Sequence, residues 1–498
     1  MLAAAILAFS TGFLSLSQEI LWVRIFSFAN HSLPQAFASV LMIYLLGIAL
    51  GAYIGKKLCL HSSNLWEVSG KVLLLAGFFD FVSPWLYAET VVHVFSSITW
   101  GAILIFFTAL LKAILFPIAH HIGAVSKVSF KGRALSTVYV SNIMGATLGP
   151  IVTGFILLSF FTTQQCYALM ALFTVITGLY CLFSTSRYLN YAIPSIILAV
   201  GLFGFIGIQA PSLLIAKLAD YPGNQKRIIE TRQGIITLYI NKNNAIVYGG
   251  NVYDGSTNLN PVNDMNGISR LLVMSALQDN PKNILMIGLS VGTWLKMITS
   301  FPNIENIDVV EINPGYLTAI RDYPRQQSAL ADSRVHLYID DGRRWLKAHP
   351  DKQYDLIIMN TTFNWRMYAS NLLSLESISL IKQHMKDNAV LTYNSTSSID
   401  AFKTAHALFP HAYLYKNFIV AANFDWRQKL NSPLAKRKLS SLVLDGKKLF
   451  PKDNKEVISK IINYPLVSFE KAEFNRKRRA EIVTDGNLIT EYKYGRGL

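Results

Sequence analysis

The chain has 498 residues, 52% of them hydrophobic and only 15% charged, with a formal net charge of +16. An ordinary soluble domain carries about 25% charged residues, which excludes a wholly water-soluble protein. The deficit lies in residues 1–216, which are almost continuously apolar, whereas 217–498 have the composition of an α/β domain long enough to bury its own core.

A bilayer core about 30 Å thick needs about 20 mostly apolar residues in helical form. Segments 3–28, 35–55, 71–88, 94–118, 136–160, 165–184 and 190–210 qualify. They predict an α-helical multispan membrane domain over 1–216, with six or seven spans. The first segment lacks a basic leader and runs on into Glu19, Trp22 and Arg24, unlike a cleavable signal peptide. Glu19 and Arg24 are expected to form an ion pair near the interface, although intramembrane charges suggest function by default. Gly47, Gly51 and Gly55 recur every fourth residue, a spacing that suits close helix packing. Cys59, Cys166 and Cys181 all fall in this half, so the second half has no disulfide and no thiolate metal site. No CxxC or HExxH pattern occurs, and no metal is expected.

Lys56 and Lys57, then Lys127, Lys131 and Arg133, then Arg187 follow alternate spans. The positive-inside rule puts those loops in the cytoplasm. Seven full spans would then place the second half outside. A re-entrant 190–210 segment, with Pro194, Gly201, Gly204 and Gly207, leaves six spans and a cytoplasmic domain. The expectation is an integral protein of a bacterial inner membrane with its C-terminal domain in the cytoplasm.

Beyond 217 a β-rich lead-in, Ile228–Gly250, precedes alternating strands and helices. Asn283–Gly288 is the first strand of this series, and GLSVGTW follows it. Ile307–Glu311, Val335–Ile339, Tyr354–Asn360 and Ala389–Tyr393 follow as further strands. In an open parallel sheet, ligands bind beyond the carboxyl ends of the strands. The Gly288–Gly292 turn, which includes Ser290, lets backbone approach a ligand closely. Glu311, 23 residues past Gly288, is placed to accept both hydroxyls of a ribose. Asp341, followed by Gly342, can accept from an exocyclic adenine amine. A turn and two acids on successive strand ends form a nucleoside site.

The segments IGLSVGTW, DVVEINP, DDGRRWL, YDLIIMN and SNLLSLESISLIKQHMKDNAVLTYN stand in that order. In them the chain resembles the spermidine synthase (polyamine aminopropyltransferase) superfamily. Its hydrophobic half resembles multispan members in FLSLSQEILWVRI, LLGIALGAYIG and YVSNIMGATLGPIVTGFIL. The resemblance implies a Rossmann-like domain of the class I S-adenosylmethionine-dependent type over 217–430. It also implies that Gly288, Ser290, Gly292, Glu311, Asp341 and Gly342 hold S-adenosylmethionine or its decarboxylated form as co-substrate. The resemblance covers most of the chain and leaves 430–480 outside it, and residues 431–498 read as a basic C-terminal extension. Between Arg427 and Arg479 fifteen Lys/Arg stand against five Asp/Glu, a charge suited to anionic lipid headgroups. No nucleic-acid motif accompanies it.

The departures lie at the acceptor side. The superfamily's soluble members follow the fourth strand with an Asp-x-x-Asp pattern that holds the amine, whereas the matching positions here are Asn360 and Phe363. Neither carries charge. Candidates for the acceptor chemistry are therefore Asn360 and Asp254, with Asp264 as a substitute base. Tyr253, Asn364, Trp365, Arg366 and Asn371 are candidate binding groups for a small amine or a lipophilic acceptor. Asn251 and a polar cluster of Asp485, Asn487 and Glu491 are further candidates. Two readings follow: a membrane-bound transferase moving an aminopropyl or methyl group, or a non-catalytic nucleotide-sensing module regulating a transport or scaffold domain. A third rests on Gly288-Leu-Ser-Val-Gly292, which also fits a serine hydrolase elbow with His384, His406 or His411, but leaves Glu311 and Asp341 without a role.

Overall fold

A computed structural model describes residues 1–93, 97–125, 131–184, 211–219, 226–241, 244–360, 363–451, 454–474, 476 and 478–496. The chain divides into two compact units. One is Met1–Pro222 with Glu230–Ile235; the other holds Gly223–Ile229 and Ile236–Gly497.

The first unit is a helical bundle: α1 (Leu2–Ala29), α2 (Pro34–His61), α3 (Leu65–His93), α4 (Ser97–Ala113), α5 (Leu115–Val125), α6 (Lys131–Ile151, running on through a π-turn to Phe160) and α7 (Thr163–Phe183). Among the described residues five helical stretches are long and apolar enough to cross a membrane: Leu2–Ala29, Pro34–His61, Ile98–Val125, Gly132–Phe160 and Thr163–Phe183. Met42, Leu45 and Leu46 on α2, and Tyr139, Ile143 and Met144 on α6, point outward and are exposed. Apolar faces of that kind are what a lipid-facing surface presents. The expected span at 71–88 is the helix α3, which carries Glu67, Lys71, Asp80 and Glu89 and is not among the five. The expected 190–210 segment, with Arg187 and Lys127, lies outside the described residues.

The glycine repeat acts as its spacing suggests. A Cβ on Gly47, Gly51 or Gly55 would run into the backbone carbonyl of Phe106, Leu110 or Ile114 respectively. Gly145 and Gly149 on α6 lie equally close to the Phe9 and Phe13 carbonyls of α1. Among the described residues, charge fully buried in the bundle is paired. The Lys112 ammonium donates to Asp80 at 2.6 Å, with both side chains fully enclosed, and the Thr174 hydroxyl donates to the same carboxylate at 3.1 Å. Glu19 and Arg24 do not pair. Arg24 donates instead to Thr163 Oγ1 and the Thr231 carbonyl, both at 2.8 Å, and stands 3.9 Å from Glu230. The five-residue offset places Glu19 and Arg24 on different sides of α1, which is why the expected pair does not form.

The second unit opens with a four-stranded sheet in the order β1-β2-β3-β4: Lys226–Thr231, Gly234–Asn241, Asn244–Gly249 and Val252–Ser256. An eight-stranded sheet follows. Its strands are β5 (Asn283–Ile287), β6 (Asn306–Glu311), β7 (Val335–Ile339), β8 (Tyr354–Met359), β9 (Met385–Asn394), β10 (His411–Tyr415), β11 (Phe418–Ala422) and β14 (Leu466–Val467). The short hairpin of β12 (Val443–Leu444) and β13 (Lys447–Lys448) stands apart. The order is β14-β10-β11-β9-β8-β5-β6-β7. β5 to β9 run parallel, and β10, β11 and β14 close the edge antiparallel. The strand order reverses between β5 and β8, where a doubly wound sheet forms its ligand crevice. The buried strands are near-continuous runs of Ile, Leu, Val and Met because helices cover both faces.

The segment expected as an extension, 431–498, has described residues built into the core of this unit. Leu439, Leu442, Phe450, Ile458 and Ile461 join the same core as Leu271, Met286 and Val309. Their apolar positions stand one per helical turn among lysines, so composition hid a buried face. Replacing Gly51 by Leu is expected to destabilise the bundle by about 1–3 kcal/mol or more through overpacking. Gly132→Ala, at a position with open space around it, is expected to be near-neutral, and thermal unfolding in detergent compares the two.

Candidate active site

β5 delivers the chain to a turn with three left-handed residues, Gly288 (φ +89°), Ser290 (φ +51°) and Gly292 (φ +73°). A Cβ on Gly288 would lie 2.6 Å from the Asn360 carbonyl, so only glycine lets the ends of β5 and β8 meet. The Glu311 carboxylate, at the end of β6, accepts the Leu289 amide at 2.7 Å and the Asn313 amide at 2.8 Å, one on each oxygen. It is 4% exposed. Burial pushes its pKa up to about 7, against the pull of those amides. A carboxylate offers about four acceptor sites, so it suits the hydroxyls of a ribose beside these amides.

At the end of β7, Asp341 caps the helix Gly342–Ala348 by accepting the Arg344 amide at 2.9 Å. Gly342 brings that helix against Ile287, whose side chain would meet a Cβ at 2.9 Å. Ser290 is not armed as a nucleophile: its hydroxyl donates to the Asp254 carbonyl at 3.1 Å. Among the described residues no histidine bonds to it. His384 faces the Leu380 and Leu346 carbonyls, and His406 lies 3.6 Å from Glu470.

Beside this turn lies a cleft of ≈ 130 Å³. Tyr253, Asp254 and Asn360 line it, together with Phe363. The sequence reading missed the rest of the lining: Asn266 and Arg270 from one side, Asn394, Thr396, Asn417 and Phe418 from the other. Asn394 ends β9 and was findable from the strand-end rule, whereas Arg270 sits in a helix with no local signal. Asp254 accepts the Tyr316 hydroxyl at 2.5 Å. Burial raises its pKa, with Tyr316 and the nearby Arg366 guanidinium pulling the other way. Burial also lowers the Arg366 pKa, and the charge of Asp254 offsets this.

The remaining candidates do other work. Asp264, expected as a substitute base, lines a separate concavity. It is committed to Lys416 Nζ at 2.8 Å and the Ser269 amide at 3.0 Å. Asn364 shares a short hydrogen bond with Thr396, at 2.6 Å, and Trp365 stacks on Phe363 with centroids 5.4 Å apart. The Asn371 carbonyl accepts from Arg343, which pairs with Asp485 at 2.7 Å. Glu491 accepts the Tyr368 and Ser370 amides at 3.0 and 2.8 Å, and Asn487 closes a local turn with Thr484. The C-terminal cluster thus splints the loop after β8 instead of entering the cleft.

The fold is that of the class I methyltransferases in its spermidine synthase-like form: counted from β5, the sheet order is 3-2-1-4-5-7-6, with β14 added at the edge. Residues 268–409 match the family described as the spermine/spermidine synthase domain, in agreement with the resemblance seen in the sequence. Among curated proteins, the polyamine aminopropyltransferase of Lachnospira eligens is 31% identical over 147 residues, 28% of this chain and 51% of that protein. The one from Agathobacter rectalis is 29% identical over 150 residues, 30% of this chain and 52% of that protein. The chain therefore spans about half the length of these relatives. A solved spermidine synthase bound to the transition-state analogue AdoDATO is 19% identical, covering 49% of this chain and 85% of that one, with a TM-score of 0.38.

A carboxyl whose folded pKa stands near 7 ionises within the working pH range. Hydroxyl donors favour the ionised form, so affinity for a ribose held at this carboxylate is expected to fall as pH drops through about 7. Methylthioadenosine is expected to bind about tenfold more weakly at pH 6 than at pH 8, a difference that Glu311→Gln removes in calorimetric titration. For the ligand-free chain the sign is opposite. The folded state holds the proton more tightly than the unfolded one, so stability from this group falls as pH rises from about 4.5 to about 7.

Proposed function

We propose that this protein is a membrane-anchored transferase. It binds S-adenosylmethionine or decarboxylated S-adenosylmethionine at the Gly288–Gly292 turn, Glu311 and Asp341, and passes a methyl or aminopropyl group to an acceptor in the adjoining cleft. The observation that carries this reading is the Glu311 carboxylate, buried at the carboxyl end of β6 beside β5, with one oxygen fixed by the Leu289 amide of the turn and the other by the Asn313 amide. The match of 268–409 to the spermine/spermidine synthase domain supports it.

When bound, the sulfonium nucleoside supplies an electrophilic carbon. The acceptor's lone pair forms the new bond to that carbon while the carbon–sulfur bond breaks, and its electrons stay on sulfur as a neutral thioether nucleoside. The chain's part is to orient the two partners and to take the acceptor's proton. Asp254 is the carboxylate lining the cleft, and a carboxyl with a raised pKa is a better base near neutral pH. Tyr316 holds it in place. Asn360 and Phe363 fill the positions of the soluble superfamily's acidic pair, so they contribute hydrogen bonding and an apolar wall instead of charge. The cleft sits in a protein with apolar spans, and a lipophilic or amine acceptor reaching it from the cytoplasmic leaflet fits that setting. Basic residues of the C-terminal region, such as Lys447 and Lys448, would then meet anionic headgroups.

The full chain in detergent should bind S-adenosylmethionine or its decarboxylated form. Glu311→Ala should weaken binding by about 1.5–3 kcal/mol. Asp254→Asn should leave binding intact and remove thioether nucleoside release in an acceptor screen. Binding with no release for any acceptor would favour the nucleotide-sensing reading, and a folded chain that binds neither nucleoside sinks both. A reporter fused after Leu498 should be active on the cytoplasmic side. An external C-terminus would rule out chemistry that draws on a cytosolic nucleoside.

A further inference from the structure

We infer that the cleft beside the nucleoside turn is a carboxylate site, gripped by Arg270 and closed to polyammonium ligands; the assignment rests on the transferase reading above for its neighbourhood but not for its chemistry. Arg270 leaves the first turn of the helix Ile268–Leu277 and reaches into the cleft. Its Nε donates to the Gly267 carbonyl at 3.1 Å, one Nη to Asn417 Oδ1 at 2.7 Å and the other to the Asn266 carbonyl at 3.4 Å. All three acceptors are neutral. A guanidinium carries five N–H donors, so two remain, one on each terminal nitrogen. That is the fork that matches a carboxylate in bidentate fashion.

Among the described residues, Arg270 has no carboxylate oxygen within 4.0 Å. Asp264, whose charge reaches it, is already spent on Lys416 and Ser269. The plane of the guanidinium rests over Phe418, 4.5 Å from the ring centroid, which fixes the fork and keeps water from one face. The rest of the lining adds no further acid besides Asp254: Asn360, Asn394, Asn417 and Thr396 are neutral, and Tyr253 and Phe363 are aromatic. Asp254 has Arg366 within electrostatic reach. The charged lining is thus Arg270 and Asp254 alone, and with Arg366 acting on Asp254 from outside it, Arg270 is the charge with no carboxylate at bonding distance. A diammonium ligand would lose water there and meet a like charge, whereas a carboxylate would gain its missing partner.

Two sources can supply that carboxylate: the methionine moiety of S-adenosylmethionine, absent from the decarboxylated form, or the acceptor. Calorimetry on the full chain in detergent separates them. If the donor supplies it, S-adenosylmethionine binds about tenfold or more tightly than its decarboxylated form. Arg270→Gln then erases the difference while methylthioadenosine, which has no carboxylate, binds as before. If the acceptor supplies it, the two donors bind alike. The chain saturated with methylthioadenosine then takes up glutarate but not putrescine, and Arg270→Gln abolishes glutarate binding.

Asn417→Asp offers a second route that keeps the arginine: it sets a carboxylate against Nη1, and carboxylate affinity should fall as it does in Arg270→Gln. Equal or tighter binding of decarboxylated S-adenosylmethionine, together with uptake of putrescine and not glutarate, overturns the inference. So does indifference of every carboxylate ligand to both substitutions. Glutarate titrated into the nucleoside-free chain keeps the two proposals apart. If no adenosyl ligand binds but glutarate does, in an Arg270-dependent way, the transferase reading fails and the carboxylate site stands. If glutarate fails there as well, both fall.

Discussion

At the carboxyl end of β6 the Glu311 carboxylate holds the Leu289 amide on one oxygen and the Asn313 amide on the other. The turn it holds has three consecutive alternate residues with positive φ, a conformation that a non-glycine residue such as Ser290 adopts only when neighbours enforce it. The Gly288 amide donates to the Val310 carbonyl at 2.9 Å, the Asn360 amide to the Ile287 carbonyl at 2.9 Å and the Asp340 amide to the Glu311 carbonyl at 3.1 Å. The ends of β5, β6, β7 and β8 are thus stitched into one rim. From the lead-in sheet, the Asp254 carbonyl takes the Ser290 hydroxyl, and the same residue's carboxylate enters the cleft. A buried carboxylate without a cationic partner is costly. Here backbone amides meet part of that cost, and a ligand's hydroxyls would meet more.

The distribution of charge around the rim follows from what each carboxylate and guanidinium already holds. Asp254 has a phenol donor in Tyr316 and a guanidinium in Arg366 near it, so its charge is answered within the protein. Glu311 has only amides, and Arg270 only neutral acceptors. The site is therefore satisfied where the fold needs rigidity and left open at two points, one negative at Glu311 and one positive at Arg270. Such half-met groups are what a binding site retains and a purely structural core removes.

How far the sequence could be read depended on how local the signal was. The parallel strands β5 to β8 announce themselves as short runs of buried aliphatics, and their bounds follow within a residue or two, because a strand covered on both faces has no reason to alternate. Glu311 and Asp341 were legible for the same reason: a strand end is a position, and the topology gives it a use. β10 and β11 were not, since HAYLY and FIVAA are short and their antiparallel pairing is a tertiary choice. The helices Pro433–Ser441 and Lys455–Ile462 were masked by lysines that flank single apolar anchors. Arg270 and Asn417 come together across 147 residues of chain, a proximity that no spacing rule encodes. Asp264 misled because an acid near a site is easily read as a base, when its first duty is to Lys416 and the helix start that Ser269 marks.

The helical unit meets the opposite problem with the same physics. In lipid, helices with apolar faces turned outward would gain little by hiding apolar surface from one another, and close backbone approach would hold them together. That is why the glycines fall on the seam between α2 and α4–α5, and again between α1 and α6, at the points where a carbonyl of the facing helix occupies the space of a side chain. An ammonium and a carboxylate can sit inside such a bundle only if each answers the other. The Lys112–Asp80 pair, with Thr174 on the second oxygen, meets that condition where an unpaired member would not. In the α/β unit, by contrast, Glu311 and Arg270 stay incompletely answered at the open end of the sheet, where a ligand can still reach them.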